Sequence, residues 1–196
     1  MKLGDLILLL VEVNGGEMGS RSIQGLAYLV ARVLRLPLSR EPDFRAGLRS
    51  PYSREVIQEL SRLTALSFLG EEVKATITGT MIHIYHLTGD GRRIVEVIME
   101  GRREECRLLK RLVDEVRGGE VAAAKVHYII EENSRLIGEP DPERIADMAE
   151  DYGWTMKLDE VYTGLRILRR IEDYLTKSYK IDNPVPLTRL GYPRTI

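Results

Sequence analysis

The sequence has a single cysteine, Cys106, which excludes an internal disulfide and any zinc cluster built on thiolates. It lacks a long apolar run: the longest, residues 6–11, falls far short of the roughly 20 residues that cross a bilayer. Only Lys2 and Asp5 flank that run on its N-terminal side, and no small-residue cleavage site follows, so no secretory signal is expected. A cytoplasmic protein without membrane contact is the expectation. Neither sign of charge dominates. There are 29 basic and 30 acidic residues, a net charge of −1, which excludes a polycation that coats nucleic acid indiscriminately. What is present is an ordinary globular composition, 43% hydrophobic and 30% charged, over 196 residues. That length suits one large domain or two small ones.

The even balance hides two basic stretches. Residues 21–62 hold eight arginines against four acids, and residues 166–194 hold seven basic residues against three, each a net of +4. Arginine outnumbers lysine 22 to 7. That ratio suits forked phosphate or base contacts, and a base-composition bias accounts for it equally well.

Apolar spacing predicts a short buried helix over residues 3–13, stopped by Asn14-Gly15-Gly16. Ser20 is expected to cap a second helix that carries Ile23, Leu26, Ala27, Val30, Val33 and Leu34 towards Pro37. A connector over 36–49 follows, extended near 44–48. Ser50-Pro51-Tyr52-Ser53 signals a helix start, and the helix buries Val56, Ile57, Leu60, Leu63 and Leu66. The period then changes to two over 73–77 and 82–87, a β-hairpin turning at Gly79-Thr80. A helix is expected over 92–116, kinked near Gly101. Its stripe of Cys106, Leu109, Leu112, Val113 and Val116 suits its own domain, the second domain or a twin in a dimer.

After Gly118-Gly119 the order repeats in outline. Helices are expected over 121–130, from the Asp141-Pro142-Glu143 cap, and over 158–171, with Trp154 as an anchor between the last two. A strand over 174–181, a turn at 182–184 and a return strand over 185–187 complete the pattern. The first hairpin ends Leu87-Thr88-Gly89-Asp90-Gly91 and the second Leu187-Thr188-Arg189-Leu190-Gly191, both Leu-Thr-x-x-Gly. Three helices and a hairpin form the order of a winged helix-turn-helix. The expected fold is mainly α with small β-hairpins (α+β). It comprises tandem winged units over 1–91 and 119–196, joined by a connecting or dimerisation helix over 92–118.

Tyr85-His86-Leu87-Thr88-Gly89-Asp90-Gly91-Arg92 resembles the wing strand of MarR-, PadR- and ArsR-type regulators. Gly19-Ser20-Arg21-Ser22-Ile23-Gln24-Gly25-Leu26-Ala27-Tyr28-Leu29 and Ser50-Pro51-Tyr52-Ser53 are similar to motifs of YwgA-like and Panacea (SocA antitoxin-like) proteins. Gly25 stands where that family has lysine, and Ser50 where it has glycine. The resemblance covers roughly residues 1–100. It implies a winged helix acting in transcription or as a toxin-neutralising partner.

In a winged helix the third helix enters the major groove. Arg54, Gln58 and Arg62 share one outward face, and their side chains suit guanine and adenine edges. Arg45, Arg49 and Lys74 are placed for phosphate. Glu55 and Glu59 lie beside these arginines, so the same face also reads as a solvated surface with internal ion pairs. In the second unit, Thr163, Arg166, Arg169 and Arg170 are candidate outward residues, and Lys177, Lys180, Arg189 and Arg194 extend the positive surface. That surface suits either nucleic acid or a protein. No catalytic residue, cofactor or metal site is expected. His83 and His86 are three apart on a strand and point to opposite faces, and His127 reads as a core or interface histidine. Cys106 has no motif around it. The sequence thus suggests a non-enzymatic regulator that binds double-stranded DNA as a homodimer. The alternative is a tandem winged-helix adaptor or antitoxin-like protein that binds a protein partner.

Overall fold

The computed structural model describes residues 1–77, 79–134 and 141–179. The fold is mainly helical with two small sheets, in keeping with the α+β expectation. Two compact units divide the chain: Met1–Arg45 with Tyr52–Asp114, and Ala46–Pro51 with Glu115–Ile196.

The first unit is built on helix α1 (Leu3–Val13), buried without interruption over residues 6–11. A helix that is apolar all round has to be wrapped on every side. Gly15 and Gly16 leave it at φ +101° and +92°, backbone that a side chain disfavours. The chain then enters a three-residue strand, β1 (Glu17–Gly19), which the spacing did not announce. Helix α2 (Ser20–Leu29) follows, with Gly19 rather than Ser20 at its N-cap, and no side chain bonds its first turn. The helix expected to reach Pro37 changes instead to a π-turn over Val30–Leu34 and stops at Arg35 in a left-handed conformation. A short hairpin of β2 (Arg45–Ala46) and β3 (Pro51–Tyr52) precedes α3 (Arg54–Ala65). Pro51 therefore lies in a strand, and Ser53 alone caps the helix.

Strands β4 (Leu69–Ala75) and β5 (Met81–Leu87) form the expected hairpin, with the first strand at 69–75 instead of 73–77, and β5 also pairs with β1, so the sheet runs β1-β5-β4, antiparallel throughout. Its registers are Met18↔Tyr85 and Val73↔His83. Leu69, Tyr85 and Leu87 are buried at its base. Helix α4 (Gly89–Gly101) begins inside the Leu-Thr-x-x-Gly motif, whose Thr88 is its N-cap, and the motif has a physical account. Leu87 is core. The Thr88 hydroxyl donates to Ser67 O (2.6 Å) and accepts from Gly91 N–H (3.0 Å). A Cβ at Gly91 would collide with Phe68 O. The long helix expected over 92–116 is two, broken at Arg102, with α5 spanning Arg103–Val116. Its apolar stripe is buried within a single chain.

The described part of the second unit holds α6 (Glu120–Glu132), α7 (Pro142–Asp151) and α8 (Leu158–Tyr179). Asp141 caps α7 and Pro142 opens it, as expected. Small residues let α6 and α8 meet closely: a Cβ on Gly164 would lie 2.8 Å from Ala122 O and 2.7 Å from Val126 Cγ2. Tyr128, Tyr152 and Trp154 form an aromatic cluster with centroids 5.4–5.5 Å apart. The Trp154 indole donates to Gly47 O at 2.7 Å, which anchors the 46–51 turn in this unit. One expectation fails here. Residues 174–179 continue α8 instead of starting a strand, because Ile171 and Leu175 carry its buried stripe onward. The return strand expected over 185–187 and the second Leu-Thr-x-x-Gly lie outside the described residues.

Candidate nucleic-acid interface

Helix α3 owes its start to two side chains. Gln24 on α2 clamps the Ser53 backbone: its Nε2 donates to Ser53 O (3.0 Å), and its Oε1 accepts from Ser53 N–H (2.9 Å). Both residues are buried, so the amide satisfies two main-chain groups that have no access to water. The Ser53 hydroxyl accepts from Val56 N–H and donates to Glu55 Oε2 at 2.8 Å. That hydroxyl bond is the main reason the Glu55 carboxyl is held below the usual carboxylate range. Helix α2 and the segment that leads into α3 meet in this clamp.

Val56, Leu60 and Leu63 turn inward, which leaves Arg54, Gln58, Ser61, Arg62 and Ala65 exposed. Arg54 has no ion-pair partner among the described residues, and the neutral Gln58 amide is exposed beside it. Arg62 grips Glu59 through both ends of its guanidinium (2.9 and 2.6 Å), a bond that raises its pKa further, and the pair lies over Gly4 of α1. The expected trio therefore shares an exposed face, with Arg62 neutralised by its own helix. Arg45 pairs with Asp43 at 2.9 Å and Lys74 with Glu72 at 3.0 Å. Such exposed pairs contribute little and open readily to a stronger anion.

The hairpin is not basic. Glu71 faces both His83 Nδ1 (2.5 Å) and the Tyr85 hydroxyl (3.1 Å), and Val73, Ile77, Met81 and Ile82 are exposed towards its tip. His83 and His86 do stand on opposite faces, since Val73↔His83 and Gly70↔His86 alternate in register. No His, Cys, Asp and Glu group suited to a metal occurs among the described residues. Cys106 is buried, and that burial pushes its thiol pKa up.

In the second unit Arg49 is exposed on the 46–51 turn. Arg166, Arg170 and Lys177 lie on the exposed stripe of α8 together with Tyr162 and Asp173. Arg169 and Thr163 do not belong to that stripe. Both are half-buried, Arg169 is engaged within the chain, and Thr163 packs near Gly119. Lys180, Arg189 and Arg194 lie outside the described residues. His127 is a core residue, 3.9 Å from Glu131.

No family model and no curated protein matches this chain. No helix among the described residues is long and apolar enough to cross a membrane.

Proposed function

We propose that the first unit is a winged-helix module and that the protein is a transcriptional regulator which reads double-stranded DNA with α3. The observation that carries this reading is topological. With the short β2–β3 hairpin inserted between α2 and α3, the order is helix, strand, helix, helix, strand, strand; β1 closes antiparallel on β5, and a capped, clamped α3 presents Arg54 and Gln58 to solvent. Arginine pairs with guanine and glutamine with adenine in the major groove, so that face has the chemistry of base readout. Its likeness to MarR-type wings and to the YwgA-like motifs supports the same reading. The tandem form loses support at residues 174–179, which are helical, so the proposal is confined to the first unit.

A protein-binding adaptor is the second reading. It is favoured by the pairing of Arg45, Arg62 and Lys74 with acids and by the apolar hairpin tip.

Fluorescence anisotropy with duplex from the gene's own upstream region, against random duplex at several salt concentrations, separates the two. The DNA reading expects a preference of at least about a thousandfold and a steep loss of affinity with salt. Arg54→Ala or Gln58→Ala should reduce that preference by about tenfold or more. Weak, equal binding of both duplexes would replace it with the adaptor.

A further inference from the structure

Strand β4 is an edge of the three-stranded sheet, and residues 71–75 are exposed on both faces. An edge strand is a template for another strand unless something blunts it. Proline and bulges are absent from β4; what guards it is charge, Glu71, Glu72 and Lys74, and because both signs are present that charge can complement a second copy of the same strand. Its ladder parity shows which groups are unused. Thr76 N–H donates to Thr80 O and Thr88 N–H to Phe68 O, so the even-numbered residues of β4 bond to β5. The N–H and C=O groups of Glu71, Val73 and Ala75 consequently point away from the sheet.

We propose that β4 pairs antiparallel with β4 of a second copy of this chain, about a two-fold axis at Val73. Charge favours that register over those centred on Glu71, Glu72 or Lys74, and the end of β4 at Ala75 disfavours one centred further along. Centring the axis on Val73 sets Glu72 opposite the second copy's lysine 74, and Lys74 opposite its glutamate 72, on the same face of the sheet. Centring it on Glu71, Glu72 or Lys74 sets a like charge directly opposite itself, which is unfavourable. Parity agrees with charge: Val73 meets Val73 as a hydrogen-bonded pair, Glu71 meets Ala75 twice, and about six main-chain bonds form. The Glu72–Lys74 positions then fall in the closer, non-bonded pairs, where side chains interact best. Val73, 46% exposed in the single chain, comes to lie at the centre of one continuous six-stranded sheet. The contact is isologous, the commonest form of closed assembly. It does not use the α5 stripe, which is already covered.

The test is sedimentation equilibrium of the full chain from about 1 to 300 µM, without DNA, so that failure of the DNA reading leaves it untouched. A dimer is expected. Lys74→Glu and Glu72→Lys should each raise the dissociation constant by at least about tenfold, and the double swap should return it to near the original value, because the exchanged charges remain complementary. Val73→Pro removes a donor that β5 does not use, so it should abolish the dimer while leaving the circular dichroism unchanged. A monomer across the whole range would overturn the proposal. So would a dimer indifferent to the single charge swaps or to Val73→Pro.

Discussion

Helices α1 and α6 are the central helices of their units, and they become central by different means. α1 is buried over 6–11 by an unbroken aliphatic run, Leu6 to Val11. α6 is buried just as completely over 122–130, yet that stretch includes three alanines, Lys125 and His127. The first fills its surroundings with leucine volume. The second lets backbones approach, Gly164 of α8 standing against Ala122, and its long polar side chains run out along the packed surface to find partners. Lys125 Nζ ends 3.0 Å from Glu160. A stretch that carries a lysine and a histidine can therefore be fully inside, provided the neighbours are small and the charge has an outlet.

The largest expected effect breaks the α1 side of this contrast. Leu9 is fully buried, and Leu9→Ala should lower stability by about 3 kcal/mol, since the lost transfer energy and the cavity add. Urea unfolding followed by circular dichroism measures it. A change under 1 kcal/mol would show that α1 is not packed to capacity.

On the α6 side the expectation is asymmetric. Glu160→Ala leaves Lys125 with a buried stem and no partner, and should lose about 2 kcal/mol, reduced from the fully buried case because Glu160 is one-third exposed. Lys125→Met keeps the volume and removes the charge, and should change stability by under about 1 kcal/mol in either direction. Trp154, the only tryptophan, sits in this unit and reports its unfolding by fluorescence. Equal losses from the two variants would mean that the ion pair itself stabilises the unit. Gly164→Ala comes next. Its Cβ crowds Ala122 O and Val126, so a net loss of about 1 kcal/mol is expected despite the better helix propensity of alanine. A gain in the same fluorescence experiment would show that the two helices are free to move apart.

The contrast also explains which parts of the fold were legible in the sequence. Period-two alternation announced the β4–β5 hairpin, and the Ser50-Pro51-Tyr52-Ser53 run and Asp141 announced their helices, because each signal lies within a few residues of its effect; in the first, the proline falls in β3 instead of the first helical turn. Strand β1 is three residues long, and its partner Tyr85 is far along the chain, so no local period reveals it. Trp154 reads as an anchor, but its acceptor, Gly47, is 107 residues away. The strand expected at 174–181 rests on its place before an Asp-Asn-Pro turn. Ile171 and Leu175, four apart and both buried, were the signal that the helix continued. In the candidate interface, the exposed face of α3 followed from its buried stripe, and Glu59 was visible beside Arg62. The Gln24 clamp on Ser53 was not, because its two residues meet only once the chain folds.

The smallest expected effect sets the two units against each other through their tyrosines. Burial, then the Glu71 charge and its hydrogen bond, push the Tyr85 phenol up to about 12. Its hydroxyl donates to a carboxylate and so needs its proton. Burial also raises Tyr152, but there Asn133 donates to the phenolic oxygen at 2.9 Å, which favours the phenolate and opposes the shift. Between pH 10 and 12 the unfolded chain releases the Tyr85 proton while the native state keeps it. The unfolded state then binds fewer protons, and stability falls as pH rises. This contribution is fully present below pH 10 and should decline by about 1 kcal/mol by pH 11. Tyr85→Phe should flatten the alkaline slope of the urea midpoint, and Tyr152→Phe should flatten it less. If the two variants gave the same slope, the direction of the hydrogen bond would not be what separates the two phenols.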